Sequence, residues 1–282
     1  MITMKDIAKA CGVSAATVSY VLNAREDQRI SEDTRQKILH YANLTGYVYS
    51  RAARALATGQ RFTVGVYAPY AWSLPDRAVR TALLIQRLAE EFERLGYTLI
   101  HLTDTCMRQR SAHVDAILAV DPTVSEFYTI GKLNFCPLLC VDGVVDDPVF
   151  YMIYDDFAGV AHLIRERTKA GRLALLYDAY RNERIMSRVA NAFDAVYDSR
   201  DPSLEAAVRA ESDDTVFAAF GLANARTLTL LGRNPVVAAY DGEDAPPSSI
   251  ILSAVKKAGV VVQLVRDILK RACGEQHDIR VL

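Results

Sequence analysis

The chain has 282 residues, 51% of them hydrophobic, enough to bury a large core and to form two or three domains. It holds no run of eighteen apolar residues, so no membrane span is expected. The polar start MITMKDIAKA does not read as a signal peptide, which points to the cytoplasm. A formal net charge of −1 argues against a nucleic-acid partner, but its distribution does not: residues 1–61 carry nine Lys or Arg against five Asp or Glu (+4), and the remainder 24 against 29 (−5).

Residues 4–23, MKDIAKACGVSAATVSYVLN, read as a helix, a tight turn and a second helix. Thr3 with Asp6 gives a start signal, Gly12 suits a sharp reversal, and Ser14 can cap the second helix with its hydroxyl. Such a pair forms the helix-turn-helix, whose second helix fits the DNA major groove. On this segment alone an ordinary helical hairpin is the alternative. A third amphipathic helix is expected from Ser31 to about Asn43, with Ile38, Leu39 and Ala42 as its inner stripe.

From about Phe62 apolar strands alternate with amphipathic helices, the pattern of βαβ units and a parallel sheet. Strands are expected at 62–68, 97–102, 114–120 and 137–142, with a helix from about Asp76 to Leu95 between the first two. A second set follows: helices near 156–169, 183–197, 203–210, 223–231 and 258–273, and strands at 172–177, 215–220, 235–240, 249–254 and 278–282. The eleven residues TDTCMRQRSAH between the second and third strands are too few for a full crossover helix, so the first lobe should have a thinned face.

The motifs KDIAKACGVSAATVSYVLN, TRQKI, GY, RAARALATG and VGV, in this order, resemble the lactose-repressor (LacI) family of bacterial transcription factors. The resemblance spans residues 4–66 almost without a gap; beyond them it holds in outline only, in a chain shorter than is usual for the family. It implies an N-terminal helix-turn-helix headpiece (1–46), a hinge helix or linker (47–60), and an α/β core of two doubly wound, periplasmic-binding-protein-like lobes (61–282). It also implies a homodimer on a double-stranded operator, with a small-molecule effector in the cleft between lobes.

Matching positions assign Ala15, Ala16 and Tyr20 to base edges, where alanine offers only methyl contact. Thr17, Ser19 and Asn23, with the helix amides, would hold phosphates, and Ser14 is counted among the DNA-binding residues. Tyr20 could instead pack on the third helix. Tyr49 and Ser50 replace the Pro and Asn that the family often carries after GY, which removes one expected phosphate contact. The alanine-rich stretch Arg51–Thr58 is too short to be a helix alone. The resemblance implies that it folds in the minor groove, with Ala53 and Leu56 on the DNA and Leu56 as the wedge; a plain linker is the alternative.

In the cleft, sugar-holding positions map to Asp142, Arg188 and Asp241, although Arg188 and Asp241 could equally form an interlobe ion pair. Phe220-Gly221 stands where the family usually has Asn-Asp, so an effector need not be a simple sugar. Tyr70, Trp72 and Phe220 could stack on a ring or merely fill the cleft. Asp155-Asp156 reads as a helix start rather than a metal site. The five cysteines, 11, 106, 136, 140 and 273, read as reduced thiols, with a metal or redox pair at Cys136 and Cys140 the lesser alternative. No phosphate loop, nucleophile elbow or metal pattern suggests an enzyme, and no cofactor or metal is called for. The expected function is transcriptional repression under small-molecule control, or alternatively under control by a protein partner or by assembly.

Overall fold

Helix α1 (Met4–Cys11) starts on a reciprocal capping box: the Thr3 hydroxyl accepts from the Asp6 amide at 3.3 Å, and the Asp6 carboxylate accepts from the Thr3 amide at 2.9 Å. It ends at Gly12, whose φ of 70° closes the turn in the left-handed region. The computed structural model describes residues 2–22, 28–47, 60–69, 73–272 and 274–282. The hinge stretch 48–59 with Ala53 and Leu56, together with Asn23, Tyr70, Trp72 and Cys273, lies outside the described residues. Two compact units emerge, Met1–Arg61 and Phe62–Leu282.

In the first unit, α2 (Ala15–Leu22) and α3 (Glu32–Leu44) close a small core with α1, built from Ile7, Ala8, Cys11, Val18, Val21, Ile38 and Ala42. Leu39 corrects the expected stripe. One residue on from Ile38 is a turn of about 100° around the helix, and Leu39 stands 41% exposed while Tyr41 packs on the core.

The second unit holds two all-parallel sheets. The first lobe is built from β1 (Thr63–Tyr67), α4 (Pro75–Arg94), β2 (Thr98–Leu102), β3 (Ala116–Val120), α5 (Val124–Leu133), β4 (Leu138–Val141) and β5 (Tyr151–Asp155). The second takes α6 (Phe157–Thr168), β6 (Leu173–Tyr177), α7 (Glu183–Ala190), β7 (Ala195–Asp198), α8 (Leu204–Ala210), β8 (Val216–Phe220), α9 (Leu222–Leu230), β9 (Val236–Tyr240) and β10 (Ile250–Leu252). The chain then returns through α10 (Ala254–Leu269) to β11 (Asp278–Val281). Strand order is β11-β5-β4-β3-β1-β2 in the first sheet and β10-β9-β8-β6-β7 in the second. Helices α4 and α10 cover one face of the first sheet, with Leu84, Leu88, Phe92, Val261 and Val265 in the layer between.

The short β2–β3 connection forms only a 3-10 turn, Asp104–Met107, and β2 remains half-covered at the sheet edge while β3, β4 and β5 are buried throughout. Several expected elements are corrected. The helix expected at 183–197 stops at Ala190, and the Val-Tyr pair that follows joins strand β7. Helix α5 and strand β5 were not expected, and α10 begins at Ala254 rather than near 258 because Ser253 caps it there.

Ile38 is fully buried in a core of seven residues. Ile38→Ala should lower headpiece stability by about 2–5 kcal/mol, read as faster amide exchange in α1–α3 with the melting of the second unit unchanged.

Candidate functional sites

The Ser14 hydroxyl accepts from the Thr17 amide at 3.0 Å and lies 2.9 Å from the Thr17 hydroxyl, which fixes the start of α2. Val18 and Val21 anchor the helix inward, leaving Ser14, Ala15 and Ala16 exposed and Thr17, Ser19 and Tyr20 half-buried. Tyr20, half-buried, is compatible both with base contact and with packing on α3. Lys5 and Lys9 are exposed on α1; Arg35 is half-buried on α3.

In the second unit the strand ends converge between the lobes, and most of the expected effector residues are engaged by the protein itself. Asp142 is buried and accepts from the Lys257 ammonium at 2.7 Å; the same ammonium lies 2.7 Å from Asp155, which also accepts from the Tyr240 hydroxyl at 2.7 Å. Asp241 caps α10, accepting from the Ala254 amide at 2.8 Å, the Val255 amide at 3.2 Å and the Ser253 hydroxyl at 2.9 Å. Phe220 is buried between Phe157 and Phe193, with ring centroids at 6.1 and 6.0 Å. Arg188 is exposed and reaches Asp278 of the other lobe at 3.4 Å, beside a pocket of about 160 Å³ lined by Tyr154, Phe157, Asn191 and Arg280. Asp142, Arg188, Phe220 and Asp241 thus do not converge on one open pocket: three hold the fold, and Arg188 bridges the lobes. Asp156 caps α6, as a helix start should.

The residues that do meet across the cleft were not singled out in the sequence. Neither α4 nor α9 has a side-chain cap of its own. The Asp76 carboxylate, on α4, accepts from the Ala223 and Asn224 amides at the start of α9, at 2.9 and 2.7 Å. In return Asp178, at the end of β6, accepts from the Arg77 amide in the first turn of α4 at 3.0 Å. Gly221 permits this approach: its φ is 91°, and an added Cβ would lie 2.2 Å from the Asp76 carboxyl carbon. Asn182 adds a second bridge, accepting from the Val144 amide at 3.0 Å and donating to the Pro122 carbonyl at 3.0 Å. Arg181 grips Glu126 through both terminal nitrogens. Arg77 Nε stands 2.7 Å from Asp121, and the Arg80 guanidinium lies 3.9 Å over the Tyr180 ring with Nε and one terminal nitrogen lacking protein acceptors.

Among the described residues, no group of three or more His, Cys, Asp or Glu could hold a metal. No described helix is long and apolar enough to cross a membrane.

Residues 3–50 match the family of bacterial regulatory proteins called the lacI family. Residues 3–50 thus carry the signature of lacI-family regulators, and the relatives and fold neighbours that follow are regulators of that family. It is 29% identical over 177 residues to the fructose operon regulatory protein of Vibrio cholerae, a span covering 58% of this chain and 52% of that one. It is 46% identical over 66 residues to the transcriptional regulator MalR of Staphylococcus xylosus, covering 23% and 19%. The chain therefore spans about half the length, or less, of these curated relatives. In fold it is similar to the lac repressor bound to ONPG in its repressed state, with a TM-score of 0.63 and 17% identity over 99% of this chain and 96% of that one. The family consists of transcription regulators rather than enzymes.

Burial pushes both Asp76 and Asp121 up to about 6; the charges of Asp178 and Glu243 add to the effect at Asp76, and the two α9 amides oppose it. Each group binds its proton more tightly in the folded chain than unfolded, where an aspartate titrates near about 3.9. Their contribution is therefore complete at low pH and is lost as pH rises through about 6. The thermal midpoint of the second unit should fall between pH 5 and 7.5 (about a unit or more either side of these values), and Asp76→Asn should flatten that fall in calorimetric scans.

Proposed function

We propose that this chain is a lacI-family transcriptional repressor that binds a palindromic operator as a homodimer. The observation that carries the reading is the capped, outward-facing start of α2, with Ser14, Ala15 and Ala16 exposed over an anchored Val18–Val21 edge. Ala15 and Ala16 present methyl groups suited to a thymine methyl, and Tyr20 adds a ring and a hydroxyl. Thr17, Ser19, Asn23 and the helix amides serve phosphates. The stretch Arg51–Thr58 would order on binding, with Ala53 and Leu56 in the minor groove and Leu56 as a wedge that kinks the duplex.

Two forms of control follow from the sequence, a small molecule in the cleft or a protein partner or assembly. The engagement of Asp142, Phe220 and Asp241 within the fold favours control without a free sugar. A pocket that has lost its hydroxyl-pairing groups loses much of its affinity for polyols.

Footprinting on selected sites should show two symmetric half-sites, with affinity falling steeply and linearly in log salt as Lys5, Lys9, Arg35, Arg51 and Arg54 release counterions. An asymmetric footprint, or binding indifferent to salt, would overturn the DNA reading. Calorimetric titration with simple hexoses and pentoses should give no micromolar binding; a micromolar sugar would restore ordinary effector control.

A further inference from the structure

Helices α4 and α9 face each other across the cleft, one from each lobe, and each lacks a cap from its own sequence. A helix start leaves several amides without partners and carries a partial positive charge, so an uncapped start buried between lobes is costly. The cost is removed by exchange: Asp76 of the first lobe takes the Ala223 and Asn224 amides of the second, and Asp178 of the second takes the Arg77 amide of the first. Asp76 and Asp178 are 8% and 3% exposed, so neither is a surface contact made in passing. Asp178 is itself steadied within its lobe by the Ser199 hydroxyl at 2.6 Å. Gly221 completes the fit, since any side chain there would strike Asp76.

We propose that this reciprocal exchange of helix caps is a built-in latch that holds the two lobes closed without a ligand, Asp76 acting as a resident carboxylate in the cleft. A ligand would then have to displace Asp76 from α9 before it could reach that helix start, and the state of the core would be set by whatever separates Asp76 and Asp178 from their amides. The proposal rests on the reading that no free sugar holds the lobes together. Its test uses neither sugar nor DNA, so a failed footprint leaves it standing.

Hydrogen exchange on the full chain at neutral pH reads the latch at the Arg77, Ala223 and Asn224 amides. Asp76→Ala should speed exchange at least tenfold at Ala223 and Asn224 and, because opening parts both contacts, at Arg77 as well. Asp178→Ala should do the same in mirror image and serves if the first variant fails to fold. Both should raise the radius of gyration in small-angle scattering. Asp76→Asn, which keeps one of the two accepting oxygens, should speed exchange less than Asp76→Ala, with one of the Ala223 and Asn224 amides still protected. Acceleration confined to the amides that lose their own acceptor would mean two local caps and no latch. Exchange unchanged in both alanine variants would also overturn the proposal.

Discussion

Lys257 carries its ammonium into the interior one turn after α10 begins, and there it meets Asp142 at the end of β4 and Asp155 at the end of β5, each at 2.7 Å. All three side chains are at most 2% exposed, so the group exists only because the charges arrive together. Removing one partner from such a buried set costs about 3–5 kcal/mol, because the others are left uncompensated. Tyr240 of the second lobe donates to Asp155 at 2.7 Å, so the same cluster ties the returning helix, two strands of one sheet and one strand of the other. The chain crosses between lobes after β5 and again before α10, and this cluster pins both crossings.

Above that pin the interior is continuous. One apolar cluster includes Ile117, Phe127 and Tyr154 from the first lobe with Leu175, Phe220 and Tyr240 from the second. Hydrophobic burial draws the lobes together without direction, and directed bonds such as those of Asn182 and Arg181 settle their register. Asp142 and Asp241, expected to hold a ligand, are instead engaged by Lys257 and by the first turn of α10.

Local chemistry made the headpiece legible in the sequence. The Thr3–Asp6 box, the Gly12 turn and the Ser14 and Ser31 caps depend on neighbours within a few residues, and all are present. Helix α5 was equally legible, since Thr123 and Glu126 form the same capping signature. Lys257 also left a mark: it sits on the apolar stripe with Ala254, Ala258 and Val261, where a charge must find buried partners. The exchange between Asp76 and Asp178 left none. Their amides lie about a hundred residues or more away along the chain, and no spacing rule connects a carboxylate in one helix to the first turn of another.

The helix proposed to meet DNA, AATVSYVL, contains no ionisable group except the Tyr20 phenol. Methyl groups and hydroxyls cannot draw a polyanion from a distance, so the long-range pull would come from cations on α1, on α3 and past the headpiece. On the proposed function, attraction and discrimination would fall to different side chains. Ionic strength would scale the hold on every sequence alike, whereas exchanging Ala15 or Ala16 would alter preference among sequences at nearly constant overall grip.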